Sequence, residues 1–299
     1  MKFMIIDVHS HVGEYPKQWT QEWFDSYAHL VGDPLKSVLQ HFPLDREKIL
    51  KDMDEAGVRI SVVMGFVHYS TSTFVPDEYV YNNFIKNDPD RFIGFSCVQP
   101  VDSKNEFNAK GLLDFEKAVT EYGFRGLKFL PVYNFFFPND RRIYPFYEKA
   151  LELNVPVMFH SAAVGSTAAR MKYGHPMYLE DVTMDFPKLK MCISHMAFPW
   201  TEEALLLVRK SPNMYMDVSA VVRPTILTWN LVKAKEYGVL HKLMFGSDYP
   251  LFGPRKNLVE LIRSKVNQIA ERAGWSTLTN EEIEGILWKN AARFLELKL

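Results

Sequence analysis

A (β/α)8 barrel of the α/β class is predicted by three features of the 299-residue sequence: eight short apolar runs rich in β-formers, helical patterns between them, and a suitable length. A closed barrel takes about 250 residues, which leaves room here for insertions. The runs fall at 3–9, 58–64, 92–98, 124–130, 155–160, 189–195, 214–219 and 243–248. They lack strict polar alternation, as strands do when helices cover both faces of a parallel sheet. The competing architecture is an open doubly wound sheet. No Gly-x-Gly-x-x-Gly turn follows the first run, which removes the usual reason to prefer it.

Taken in order, the first run leads into His9-Ser10-His11 and then into residues 12–44, the main excess length of the chain. This insertion carries Trp19, Trp23, Phe24, Tyr27, His29 and Phe42, more aromatic surface than a loop leaves exposed. It reads either as a lid or pocket wall, or as a helical insertion packed on the barrel rim. Asp45 precedes a helix over 46–56 with Gly57 behind it, an N-cap and a C-cap. The fourth run ends in Gly126-Leu-Lys128-Phe-Leu-Pro131, and a helix over 226–237 stops at Gly238. In the last helix Thr279 and Glu282 form a capping box. Ile283, Ile286, Leu287, Ala291, Phe294 and Leu295 there share one apolar stripe, which is core packing. No repeat, low-complexity tract or linker divides the chain, so residues 1–299 read as one domain.

Composition narrows the function classes. Hydrophobic residues at 47% and charged ones at 24% give a globular chain able to bury one large core. A net charge of -1 and a pI near 6.8 supply no field that would gather nucleic acid or an anionic membrane, so a small molecule is the expected partner. The apolar start is interrupted at Asp7, too early for a secretory segment, and no stretch approaches membrane-spanning length. Cys97 and Cys192 sit in strand-like runs as small hydrophobes, which points to a reducing, cytoplasmic setting. Trp200, Trp229 and Trp275 fit either a subunit interface of a homo-oligomer or helix packing on the barrel.

The chemistry lies at strand ends. His9 and His11 are two apart in a strand and point to one face about 7 Å apart, where two imidazoles can share an ion. Three more runs close on a polar group: Met158-Phe159-His160, Ile193-Ser194-His195 and Gly246-Ser247-Asp248. In a barrel of this kind those ends converge on one rim. A buried His or Asp without a partner costs several kcal/mol, so five on one rim are better explained by a shared cation than by independent accidents. No Gly-x-Ser-x-Gly turn occurs, which sets aside a serine hydrolase.

The opening Ile-Ile-Asp-Val-His9-Ser-His11, the strand-end His160 and His195, the Gly246-Ser-Asp248-Tyr-Pro250 turn and the late Asn290-Ala-Ala-Arg293-Phe294 segment together resemble the amidohydrolase superfamily. The resemblance spans the whole chain and is nearest to the amidohydrolase-2 branch, which holds aminocarboxymuconate-semialdehyde decarboxylase and related hydrolases. It implies that His9, His11, His160 and Asp248 hold one divalent ion, with His195 beside it. Such ligands suit Zn²⁺ first and also Mn²⁺ or Fe²⁺, with a position left for water whose pKa the ion lowers toward about 7. Asp248 would accept the water's proton, and His195 would polarise the substrate oxygen or carry a proton to the leaving group. In binuclear relatives a carboxylated lysine at the position of Lys128 bridges two ions. Because the branch is mostly mononuclear, Lys128 is read here as a contact to an anionic substrate or a rim residue.

Groups on the loops after the strands are expected to shape the substrate pocket: His68 and Tyr69, Tyr133 and its neighbours to Phe137, Arg170, Arg223 and Arg255. Arginine beside a metal favours a carboxylate-bearing substrate, an aromatic or dicarboxylic acid, although each arginine taken singly is more often a surface or capping residue. His29, His41, His175 and His241 carry no spacing argument and are read as structural or exposed.

Hydrolysis of a small amide, lactone or related bond is the leading reading of function. Non-oxidative decarboxylation of an aromatic or muconate-like acid is the alternative, with the same ligands. Decarboxylases of this branch often carry Glu in place of the first histidine, so His9 tilts toward hydrolysis. A barrel that only binds would show a broken catalytic set, and here strands 1, 5, 6 and 8 all end in competent residues.

Overall fold

The strands are β1 (Ile5–His11), β2 (Val58–Met64), β3 (Phe92–Cys97), β4 (Leu127–Phe129), β5 (Val157–Phe159), β6 (Met191–Ile193), β7 (Met214–Asp217) and β8 (Leu243–Met244), eight parallel strands paired in chain order. The computed structural model describes residues 4–30 and 44–298. Val8 N to Phe245 O at 3.0 Å, Asp248 N to His9 O at 2.8 Å and His11 N to Tyr249 O at 2.8 Å join the last strand to the first. The sheet thereby becomes a nearly closed (β/α)8 barrel, as the sequence predicts.

Every residue of β1 is buried, as both-face coverage requires. Inside the barrel Ile6, Val8, Val62, Phe95, Met158 and Met244 pack together, and Phe294 and Leu295 of the final helix close this core. Large and small residues alternate there: a Cβ on Gly126 would lie 2.4 Å from the Phe95 ring, so only glycine lets that ring fill the interior. The larger core lies between strands and helices and includes Ile49, Phe115, Phe146, Leu205 and Leu231.

One helix bridges most strand pairs: Arg46–Ala56, Ala109–Thr120, Tyr144–Glu152, Tyr178–Asp185, Thr201–Lys210 and Pro224–Glu236. Asp45 accepts from Lys48 N and Gly57 at φ 75° ends the first of these, as expected. The capping box of Thr279 and Glu282 is present. Strands β4 to β8 are shorter than their apolar runs. The chain leaves the ladder where it turns toward the barrel mouth, for example at His195, Met196 and Ala197 with φ of 61°, 50° and 51°.

Of the insertion, residues 12–30 are described; His41 and Phe42 lie outside the described residues. Trp19 and Trp23 are fully buried, and Trp19 Nε1 donates to Val12 O at 3.0 Å. Ser26 ties the segment to the loop after β5, its hydroxyl 2.8 Å from Ser166 Oγ and its carbonyl accepting from Thr167 N at 3.0 Å. The segment is thus packed on the rim, with Tyr27 and Leu30 reaching the cavity at the mouth. Trp229 packs beside Trp275, ring centroids 5.0 Å apart, and Trp200 beside His175 at 4.9 Å. Cys97 and Cys192 are buried free thiols, and among the described residues no helix is long and apolar enough to cross a membrane.

One buried acid outside the mouth predicts a pH effect. Asp77 accepts from Ser96 Oγ at 2.5 Å and Cys97 N at 3.0 Å, yet burial raises its carboxyl from 3.8 to about 6. The folded chain therefore holds this proton more tightly than the unfolded chain. The stabilisation is complete below the unfolded value and is lost as pH rises through 6, up to about 3 kcal/mol in all. About half of this loss falls between pH 5 and pH 8, so denaturant titrations at those two values are expected to differ by about 1.5 kcal/mol in the native protein and by much less in Asp77→Asn.

Candidate metal centre

The pairing of β1 with β2 shifts between Asp7 and Ser10, an irregularity that re-aims side chains next to functional sites. Asp7 turns toward Ser247 and Arg255, whereas His9 turns into the barrel mouth. Donor atoms of His9, His11 and Asp248 all lie within 4.8 Å of one another. Asp248 Oδ1 is 3.5 Å from His9 Nε2 and 3.4 Å from His11 Nε2. The other nitrogen of His11 donates to Gly65 O at 3.0 Å, because a carbonyl only accepts, so in the neutral ring it is Nε2 that carries the lone pair on the side of Asp248.

A second triad, His9, His195 and Asp217, also falls within 4.8 Å. His160 completes neither triad: its Nδ1 is 3.0 Å from His195 Nε2, and its Nε2 is buried without a hydrogen-bond partner. Asp248 Oδ1 is likewise buried and unpartnered. Orphaned buried acceptors are costly. A buried carboxylate oxygen left free between the imidazoles of His9 and His11 makes with them the donor set of a divalent cation, so the residues present fit a metal, with the free Nε2 of His160 a further donor on the same cavity.

Electrostatics agree with that fit. Burial holds His9, His160 and His195 well below the usual histidine value, helped by Lys128 near His9 and His160 and by His160 near His195. Neutral imidazole is the ligating form. Burial also raises the Asp248 carboxyl and lowers the Lys128 ammonium. Lys128 is fully buried and donates to Ser194 Oγ at 2.9 Å, with His9 Nε2 at 3.2 Å. It therefore stands inside the cluster and not at the rim.

Backbone strain collects here. His195, Met196, Ala197, Ala220 and Asp248 all have φ between 50° and 61°, in a region that costs a non-glycine residue about 1–2 kcal/mol. Such conformations persist where surrounding structure fixes them, most often at functional sites.

Above the cluster a cavity of about 280 Å³ is lined by His160, His195, Asp248, Tyr27, Tyr133 and Arg223, with apolar walls that include Leu30, Val164, Val221 and Phe252. Tyr133 and Arg223, both singled out in the sequence, face it. Tyr133 Oη is 2.8 Å from Tyr27 Oη, joining the insertion to the loop after β4. Arg223 is exposed and makes no ion pair among the described residues.

The other expected pocket residues lie elsewhere. His68 is buried behind Tyr133, ring centroids 4.9 Å apart, and Tyr69 donates to Val101 O at 2.9 Å. Arg170 is exposed, its guanidinium 5.1 Å from the Phe135 ring. Arg255 corrects the expectation most sharply. It is 1% exposed, Nε 2.7 Å from Asp7 Oδ2 and Nη1 2.8 Å from Asp52 Oδ1, an internal tie between β1 and two helices and not a substrate contact. His29 is exposed and half-buried His175 packs on Trp200.

Sequence reasoning missed Asp217 and Ser219. Asp217 is fully buried and accepts from His195 N, Ser219 N and, at 3.0 Å, from His9 Nδ1. The signal was present: Asp217 is the lone charge in the apolar run 214–219, as Asp248 is in its own.

A family model described as Amidohydrolase matches residues 6–297. The chain is 28% identical over 229 residues to a 2-keto-4-carboxy-3-hexenedioate hydratase of Sphingobium sp. (strain NBRC 103272 / SYK-6), a match covering 64% of this chain and 65% of that protein. Among solved structures it resembles an uncharacterized TIM-barrel protein of Bordetella bronchiseptica, with TM-score 0.74, 20% identity and 98% of each chain covered. It also resembles a dihydroxybenzoic acid decarboxylase of Polaromonas sp. JS666 that holds manganese, with TM-score 0.69, 14% identity, and 99% of this chain and 97% of that one covered. At these identities the two structures speak for the fold.

Proposed function

The chain belongs to the amidohydrolase family of metal-dependent enzymes, and from that premise we propose that it is a carboxy-lyase removing carbon dioxide from a small planar acid with a second anionic group. The observation that carries this reading is the cavity: apolar walls, one free guanidinium at Arg223, and the histidine–carboxylate cluster at its floor. Arg223 would hold the spectator anion by its planar fork. The departing carboxylate would face the cluster among apolar walls, where its localised charge is poorly solvated and becomes dispersed as the C–C bond breaks. The bonding pair stays on the substrate carbon, and a proton taken from solvent water and relayed by Asp248, which lines the cavity, completes the new C–H bond.

His9, His11, His160 and Asp248 would hold one divalent ion, which supplies a Lewis acid that anchors the substrate's oxygens and offsets their charge. The donor set suits zinc and manganese alike; manganese is the ion in the Polaromonas decarboxylase. Lys128, bonded to Ser194, would act as a buried cation beside His9 and not as a bridge.

A second reading, addition of water to a C=C bond, is favoured by the Sphingobium hydratase and shares the cavity and substrate class. Hydrolysis, which the same ligand set, Asp248 and His195 could also serve, ranks below both because the named relatives are a hydratase and a decarboxylase. The buried free thiols support a cytoplasmic setting.

The test is a panel of hydroxybenzoates, muconate-like diacids and unsaturated keto acids labelled in the carboxylate, followed for labelled carbon dioxide and for hydrated or hydrolysed products. Carbon dioxide release is expected. Turnover that only adds water would replace the proposal by the second reading. Arg223→Gln is expected to raise KM about 10-fold or more with a smaller change in kcat, since it removes binding shared by ground and transition states. A fall in kcat alone would place Arg223 at the reacting carbon instead.

A further inference from the structure

We infer that Asp217 is a positioning residue that fixes the proton placement of His9, His195 and His160, leaving the Nε2 lone pairs of His9 and His160 free for a metal. The inference goes beyond the proposed reaction and does not depend on it. Asp217 Oδ1 accepts backbone N–H groups from His195 and Ser219, each at 3.0 Å, so the carboxylate is already bound as an acceptor. Its Oδ2 lies 3.0 Å from His9 Nδ1. A carboxylate has no proton to give, so His9 donates from Nδ1 and its Nε2 keeps a lone pair, which faces Lys128 Nζ at 3.2 Å in the metal-free chain.

The same logic passes along a chain of contacts. Ser219 Oγ touches Asp217 Oδ1 and must donate its single proton there. Its oxygen then accepts from His195 Nδ1 at 2.8 Å, with His9 Nδ1 a second, longer neighbour at 3.2 Å. With its proton on Nδ1, neutral His195 offers a lone pair at Nε2. That lone pair accepts from His160 Nδ1 at 3.0 Å. His160 Nε2 is thereby stripped of its proton, and it is the buried nitrogen that has no partner. One carboxylate on β7 thus prepares ligands on β1 and directly after β5, though neither strand neighbours β7 in the sheet. Burial, which disfavours charged imidazoles at all three positions, supports this inventory.

The experiment reads tautomers in protein labelled with ¹⁵N-histidine and stripped of metal, by long-range ¹H–¹⁵N correlation at neutral pH, with a zinc competition titration alongside. Native protein is expected to show the Nδ1–H form at His9, His195 and His160. Asp217→Asn, whose amide both donates and accepts, should lose the fixed form at His9 and bind zinc about 10–100-fold more weakly. Ser219→Ala should release His195 and His160 while His9 keeps its form. An Nε2–H form at His9 or His160 in native protein overturns the inference, as does a Ser219→Ala spectrum unchanged at His160. These two readings decide the matter even where Asp217→Asn does not fold. Native protein that binds no zinc but shows the expected tautomers contradicts the metal reading and leaves this one standing.

Discussion

Asp248→Ala is expected to lower turnover by about 10³-fold or more while leaving the denaturation midpoint close to native, because the residue joins ligand and proton-transfer roles. The unusual part of this expectation is the unchanged stability. A buried carboxylate is normally costly to remove because its partners are stranded. Asp248 Oδ1 has no hydrogen-bond partner, and its carboxyl is raised by burial. Removing it from the metal-free chain strands little. Steady-state kinetics with a substrate found in the panel, set beside a denaturant melt of metal-free protein, checks both halves. A loss of less than 10-fold would take Asp248 out of the chemistry.

Arg255→Ala carries the opposite signature: stability falls by about 3–5 kcal/mol, the usual cost of breaking a buried ion pair by removing one member. Asp7 and Arg255 are both fully enclosed in their pair, and the guanidinium also lies 4.2 Å from the Tyr249 ring centroid. Asp7 holds more than Arg255, for its Oδ1 accepts from His9 N at 3.1 Å and Ser247 N at 2.9 Å. The pair therefore pins the turn that carries Asp248 to the strand that carries His9 and His11. Denaturant unfolding of Arg255→Ala and Arg223→Gln separates the two arginines: the first should lose cooperativity or midpoint, the second neither. A loss below about 1 kcal/mol for Arg255→Ala would return it to the exposed loop where the sequence put it.

That exchange of roles shows what a sequence can and cannot carry. The eight strands were legible because both-face burial forces uninterrupted apolar runs, and β2 matches its run residue for residue. Helix ends were legible where a cap is local, as at Asp45 and Thr279. His9, His11 and Asp248 were legible because strand ends converge in a barrel, and the structure brings their donor atoms together. His160 and His195 meet each other as a pair, a detail that depends on tautomer and ring orientation and leaves no trace in spacing. Arg255 and Arg223 look alike in sequence, since both follow a strand near the mouth. What separates them is a partner 248 positions away in Asp7, invisible without the fold. The insertion was read with two alternatives, and its described part contains something of each: buried Trp19 and Trp23 anchor it, and Tyr27 and Leu30 form cavity wall. Asp217 was missed although a lone acid in an apolar strand is the same signal that identified Asp248.

The central claim is that these strand ends hold a divalent cation. Elemental analysis of native protein purified without added metal, beside His160→Ala and Asp248→Ala, tests it most directly. The account predicts about one zinc or manganese per native chain, lost or strongly depleted in both variants. Native protein without metal, even after reconstitution with each ion, would contradict it.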